Sequence, residues 1–202
     1  MGANTNARRG RVRRCMILSN VDILSEIDAG RINIEPLAGR DVSRPPFNTS
    51  SVDLRLARTL SIPQTGPINI RLDMPYDREF AARNSSRHDL LDNGPFELTP
   101  RHMILGQTLE RVKFPMEGEG PFYAARIEGR SSLARYGLLV HFTAPTIHTG
   151  FSGPITLEII NLGCNTITLH AEDYICQLII EAISGRPDNA PNQFRGQTTP
   201  TG

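Results

Sequence analysis

Seventeen glycines and fifteen prolines are spread along the 202 residues, too evenly for long helices to run between them. The stretches they separate are short, and several alternate polar and apolar residues as half-buried strands do. Ser51-Val-Asp-Leu-Arg-Leu is the clearest of these. Further strands are predicted at 59–62, 68–72, 103–110, 122–128, 139–143, 154–161, 165–169 and 174–181. Many short strands with turns between them point to an all-β sandwich or barrel. One short helix is expected over 20–29. Ser19 and Asp22 resemble a capping box, Val21, Ile23, Leu24 and Ile27 form an apolar face, and Gly30 is a natural stop. Residues 73–95 are polar and rich in turn formers, so they read as a long loop.

The length suits one domain with short appendages and a real core. The organisation expected is a flexible basic tail at 1–15, a domain at 16–184 and a mobile C-terminal lid at 185–202. The tail is arginine-rich without acids, so a transit-type presequence is its alternative reading. A formal charge of +1 excludes a global surface for nucleic acid polymers. No apolar run is long enough to span a membrane. Three cysteines at unrelated spacings argue for a reducing compartment and against a disulfide framework.

Three segments carry chemistry. In Gly129-Arg-Ser-Ser-Leu-Ala-Arg-Tyr-Gly137, Ser131 or Ser132 can cap a helical turn that Gly137 ends. Arg130 and Arg135 flank it with donors suited to phosphate. An ordinary capped turn with solvated arginines is the other reading. In Pro154-Ile-Thr-Leu-Glu-Ile-Ile-Asn161, Glu158 interrupts an apolar run, where a carboxylate must be paired, protonated or functional. A structural ion pair would explain it equally well. Residues 140–153 form a strand and a turn-rich connection that should bring Ala144 near Glu158. His141 and His148 lie there, and a lone histidine such as His141 is more often structural than functional. His170-Ala-Glu172 matches half of a zinc deaminase signature, but P-C-x-x-C is missing, so catalytic zinc is not expected.

Taken in order, Gly129-Arg-Ser-Ser-Leu-Ala-Arg-Tyr-Gly-Leu-Leu-Val-His, Thr143-Ala144, Gly150-Phe-Ser-Gly and Ile155-Thr-Leu-Glu closely resemble dCTP deaminases of the dUTPase-like superfamily. Met16-Ile-Leu-Ser, Ser51-Val-Asp-Leu-Arg-Leu and Phe194-Arg-Gly-Gln sit where that family has similar segments. The resemblance covers roughly 16–197. It implies a distorted jelly-roll or β-barrel subunit and a homotrimer with active sites shared between subunits. Arg130, Ser131, Ser132, Leu133, Ala134 and Arg135 would bind the triphosphate and help form the pyrimidine pocket. Thr156, Leu157 and Glu158 would contact the base, with Glu158 catalytic. Gln193, Phe194 and Gln197 would lie in a tail folded over the nucleotide. Relatives that only cleave dUTP usually have glycine at the Ser132 position, lack the strand glutamate and carry an aspartate where this chain has His148. His148 and Gln193 also differ from the deaminases, which usually have aspartate and lysine there.

The reaction so implied is metal-independent deamination of dCTP to dUTP in the cytoplasm, with dTTP a candidate inhibitor. Glu158, its pKa raised towards neutrality by burial, would take a proton from water and deliver it to the cytosine. Ser131 and the Ala144 backbone would orient the water, and Arg135 would steady the glutamate. Mg2+ would accompany the triphosphate. The alternatives are a dUTP diphosphatase, a bifunctional enzyme forming dUMP, a deaminase of a modified dCTP, and a nucleotide-binding protein without activity.

Overall fold

The computed structural model describes residues 16–64, 66, 70–71, 73, 77–188 and 199–201. In chain order these form β1 (Met16–Ile17), α1 (Asn20–Asp28), β2 (Asn33–Glu35), β3 (Phe47–Asn48), β4 (Ser51–Arg55), β5 (Thr59–Pro63), α2 (Arg78–Arg83), β6 (Ser85–Asp89), β7 (Phe96–Leu98), β8 (Met103–Lys113) and β9 (Tyr123–Gly129). Then follow α3 (Ser131–Ala134), β10 (Leu138–Leu139), β11 (Thr146–Ile147), β12 (Ser152–Asn161), β13 (Ile167–Leu169) and β14 (Tyr174–Ala182). None of the described helices is long and apolar enough to cross a membrane.

The strands form two six-stranded sheets. One runs β11-β9-β14-β4-β3 with β1 also on β14; the other runs β10-β12-β8-β5-β6 with β2 also on β8. A separate two-stranded ribbon joins β13 to β7. Both large sheets contribute to one core, with Leu54, Ile127 and Leu178 from the first and Leu60, Ile104, Leu157 and Ile159 from the second all essentially sealed from solvent. The fold is mostly β, as expected, but the sheets are open, so the expected barrel is corrected to two separate sheets with free edges.

The helix α1 forms where its pattern placed it. The Ser19 hydroxyl accepts from the Asp22 amide and donates to the Asp22 carboxylate, and Gly30, at φ +71°, ends the turn. Ile23 is its fully buried anchor. The polar stretch 73–95 is not a simple loop, because it contains α2 and β6. β6, Ser85-Ser-Arg-His-Asp, has no apolar side chain to reveal it. It is an edge strand held by its ladder to β5 and by a 2.8 Å Ser61–Ser85 hydroxyl bond. At 68–72 the described residues 70 and 71 are not in a strand. The strand predicted over 139–143 ends at Leu139, because the chain then turns to place His141 under β12.

β12 fixes the site. Its pairing with β8 slips between Pro154 and Thr156, a bulge at which proline offers no N–H for the ladder. Thr108 fills the gap. Its hydroxyl accepts from Ile155 N at 2.9 Å and donates to Glu110 O at 2.7 Å. Beyond the bulge Ile155, Leu157, Ile159 and Asn161 point into the core, and Thr156, Glu158 and Ile160 occupy the other, half-covered face. That face explains how an acid fits within the apolar run.

At the end of β12 two glycines lie back to back. A Cβ added to Gly163 would stand 2.2 Å from the Tyr136 carbonyl oxygen, and one added to Gly137, at φ +92°, would stand 2.2 Å from Gly163 N. Leu162 N donates to Gly137 O at 2.8 Å across this contact. The contact fixes where α3 sits relative to the Glu158 strand.

Candidate active site

Glu158 and His141 form the centre of the site. His141 Nδ1 lies 2.5 Å from Glu158 Oε2, and its Nε2 lies 2.5 Å from the Ala144 carbonyl oxygen. A carbonyl can only accept, so Nε2 donates to Ala144; Nδ1 donates as well when Glu158 is ionised and His141 protonated, the charge state that each partner favours in the other. The His141 side chain is buried, while Glu158 is 33% exposed and accessible from its face of the sheet.

The pKa directions agree with this. Burial pushes Glu158 up, but the hydrogen bond and charge of His141 outweigh it and hold the carboxyl below its ordinary value of 4.5. Burial pushes His141 down, and Glu158 more than reverses that, leaving the imidazole above its ordinary 6.5. The expected rise of the Glu158 pKa is therefore corrected: a buried acid beside an imidazolium goes down. Glu158, depressed, contributes stability above 4.5 and loses it as pH falls through its folded pKa. His141, raised, contributes fully below 6.5 and loses it as pH rises through its folded pKa. The pair thus stabilises the fold most between those values, and persists above 6.5 until the imidazolium deprotonates.

The structure brings Ala144 and Glu158 together, as expected, but through His141, which was expected to be structural. It also brings in Gln107 of β8, which the sequence reading did not single out. Gln107 stands opposite Thr156, and both Gln107 Nε2 and Thr156 Oγ1 are buried without a hydrogen-bond partner. A glutamine within a strand otherwise set for burial was the available signal.

The 129–137 segment is a short helix capped at Arg130 with no side-chain cap bond, so neither serine has the capping role expected of it. The turn closes by Gly137 N to Ala134 O, and Gly137 ends it as predicted. Ser131, Ser132, Ala134 and Arg135 are exposed and Leu133 is half-buried. Among the described residues, Ser131, Ser132 and Arg135 make no side-chain hydrogen bond or ion pair, and none reaches Glu158. Arg130 is held differently. Its Nη2 lies 3.3 Å from the buried Asp53 carboxylate, its Nη1 donates to Tyr174 O at 3.0 Å, and the guanidinium lies over the Tyr174 ring. Asn48 and Gln177 also donate to Asp53, which fixes this anchor. Arg130 is therefore held in place by contacts within its own chain.

Leu157 is buried, and His148 is exposed, with its backbone carbonyl accepting from Phe151 N. His170 and Glu172 are engaged elsewhere, with Asp173 and Arg55. Cys164 and Cys176 are free thiols. The residues expected in the tail, Gln193, Phe194 and Gln197, and the basic stretch 1–15 lie outside the described residues.

A dCTP deaminase-like family model matches residues 17–183. The chain belongs to that family. A dUMP-forming dCTP deaminase of Methanosphaera stadtmanae is 33% identical over 197 residues, spanning 91% of each chain. Another of Nocardia farcinica is 36% identical over 195 residues, 92% of this chain and 89% of its own. A dCTP deaminase of Rhodospirillum rubrum is 34% identical over 172 residues, 83% of each. Among solved structures, the 2'-deoxycytidine 5'-triphosphate deaminase of Agrobacterium tumefaciens is similar in fold, with a TM-score of 0.60 and 18% identity over 84% of this chain. The chain spans about half, 49%, of that protein's length. Within this family fold, His141 and Glu158 form a hydrogen-bonded pair at the half-covered face of β12.

Proposed function

We propose that this protein hydrolytically deaminates dCTP, with Glu158 as the base. The observation that carries this reading is the ionised, one-third exposed Glu158 carboxylate held by His141 beside the Ala144 carbonyl. Water attacks C4 of the cytosine while Glu158 takes one of its protons. Glu158 delivers that proton to N3, and a second proton transfer releases the C4 amino group as ammonia, so that dCTP and water give dUTP and ammonia. The carboxylate is the form able to accept the proton, and the depressed pKa keeps it ionised at neutral pH. His141 is a positioning residue that fixes one oxygen of Glu158. The Ala144 carbonyl keeps one lone pair free of His141 and can accept from the attacking water.

The phosphates would be taken by Arg130, Ser131, Ser132 and Arg135, the last three uncommitted among the described residues and Arg130 held in place by Asp53 and Tyr174. That segment contains no carboxylate, so Mg2+ would be held by the phosphate oxygens and would neutralise their charge. Among the described residues, Glu158 pairs with His141 and makes no hydrogen bond or ion pair with the side chains of α3. Tyr136, Phe142 and Leu162 expose apolar surface around them, at 70%, 59% and 62%. A cytoplasmic homotrimer in which the 130–135 segment of one protomer completes the Glu158 site of the next accounts for both facts. Thr156 and the backbone of Leu157, whose side chain faces the core, then contact the base, His148 the sugar, and Gln193, Phe194 and Gln197 the bound nucleotide.

A second reading, conversion through to dUMP, is favoured by the names of the Methanosphaera stadtmanae and Nocardia farcinica relatives. Incubation with dCTP, CTP, 5-substituted dCTP and dUTP in the presence of magnesium, with every product identified, separates the readings. Ammonia with dUTP supports deamination alone. Ammonia with dUMP and diphosphate supports the bifunctional enzyme. Absence of ammonia from all cytosine substrates would remove both.

The pH profile follows from the pair. The acid limb of kcat/KM should fall below pH 4.5, where Glu158 protonates, and not near neutrality. An acid limb close to pH 6.5 would mean that Glu158 is held protonated and is not the base in the form described.

A further inference from the structure

A cavity of about 380 Å³ opens beside the β5–β6 hairpin, within the usual range of ~300–1,000 Å³ for small-ligand sites. It is lined by Arg58, Thr59, Ser61, Ser85, Arg87 and Gln107, with residues 199–201 also along it. No carboxylate is among its described lining residues. The cavity shares a sheet face with Glu158. Arg87, Ser61, Leu105 and Glu158 are successive cross-strand partners, so Arg87 and Glu158 are about 14 Å apart at three strand spacings of ~4.8 Å.

The lining is rich in hydrogen-bond donors. Gln107 is only 6% exposed, yet its amide nitrogen has no partner, and an unmatched buried donor is costly unless something fills its place. Arg87 uses Nη2 on Thr59 Oγ1 at 3.3 Å and lies 3.7 Å from Asp89, which leaves its other N–H groups uncommitted. Arg58 uses Nε on Asp89 and Nη2 on Asp92, which leaves Nη1. Thr59 accepts from Arg87, so its own proton is free to donate outward. The hydroxyl protons of Ser61 and Ser85 are directed at Ser85 and Ala81, so these two do not compete as strong donors. Asp89 and Asp92 pair with these guanidinium groups from outside the lining, and the N–H groups they leave over, beside the unmatched Gln107 amide, are suited to an oxyanion.

We propose that this cavity is a second oxyanion site, separate from the Arg130–Arg135 segment, which takes a phosphate or diphosphate group on Arg87 and Gln107. It requires neither the deamination reading nor Glu158. The group has two possible sources, free diphosphate and the phosphate chain of a bound nucleotide, and the shared chemistry is the tetrahedral oxyanion.

The test follows the Gln107 side-chain amide resonance of the full-length protein during titration with inorganic pyrophosphate. The resonance should shift saturably in the wild type and in Arg130→Ala. In Arg87→Ala the midpoint should rise about tenfold, the effect of losing one charge-assisted contact. Arg87 is exposed at 73%, so its removal leaves the core intact. In Gln107→Leu, titration calorimetry should show the same loss, with the melting temperature reporting that the protein remains folded. An unmoved Gln107 resonance, or a midpoint indifferent to Arg87→Ala, overturns the proposal. So does loss of the shift in Arg130→Ala, which would assign the anion to the other segment. Adding dCTP to the Glu158→Gln protein separates the sources. Displacement of pyrophosphate places the nucleotide's own phosphates in the cavity, and joint binding places free diphosphate there. Either result supports the site.

Discussion

Glu158→Gln should lower kcat for ammonia release from dCTP by about 10²–10⁴-fold, the usual contribution of a positioned acid–base group, while leaving dCTP affinity nearly unchanged. The substitution preserves shape, and the amide oxygen can still accept from His141 Nδ1. What it removes is the ability to carry a proton between water and the base. A second readout comes with it. His141 is held above 6.5 by the Glu158 carboxylate, so in Glu158→Gln its titration should move down. NMR of the imidazole would register that shift whether or not the protein turns over. A variant that releases ammonia at near wild-type rate would remove Glu158 as the base. A variant whose imidazole titrates unchanged would remove the pairing on which its positioning rests.

The largest effect on stability is expected at Gly163. In Gly163→Ala the new Cβ would stand 2.2 Å from the Tyr136 carbonyl oxygen, and backbone cannot swing aside as a side chain can. Overpacking of this kind costs about 1–3 kcal/mol and sometimes more. Gly137→Ala adds a left-handed φ of +92° to the same collision, for about 1–2 kcal/mol more. In a domain of this size each kcal/mol lowers Tm by roughly 2–4 °C. Gly163→Ala should therefore melt several degrees below the wild type and Gly137→Ala lower still. Gly129→Ala is the control, since its Cβ would meet only Val140 Cγ2 at an ordinary 3.8 Å. Thermal melts of the three variants decide the matter. Equal melting temperatures would show that the α3–β12 contact is not the rigid joint described. Because that joint carries the segment proposed to bind the phosphates, the two destabilised variants should also need more dCTP for half-maximal rate.

Much of this was legible in the sequence because burial writes itself as pattern. β8, β9 and β14 were visible as short strands between turn formers, β12 as an apolar run, and α1 as an amphipathic turn with its cap. Glu158 was conspicuous because an acid within such a run needs a reason. Other features had no local signature. β6 contains only Ser, Arg, His and Asp and exists because β5 offers it a ladder. Asp53 and Arg130 are far apart in sequence, and nothing near either predicts that they meet. His141 looked structural because a single histidine usually is, and its importance depends on a carboxylate 17 residues away. The direction of the Glu158 pKa was misjudged for the same reason: burial was foreseeable, but the cation beside it was not.

The slip at Pro154–Thr156 has an effect on how this strand can vary. In any strand, adding or losing one residue exchanges its two faces. Here the irregularity lies before Glu158, and Thr108 accommodates it. Length changes upstream, in the turn at 148–153, can be absorbed there without rotating the acid into the interior. Deletion of Leu157, between Thr156 and Glu158, has no such buffer and would turn Ile159 onto the open face while sealing the Glu158 carboxylate inside.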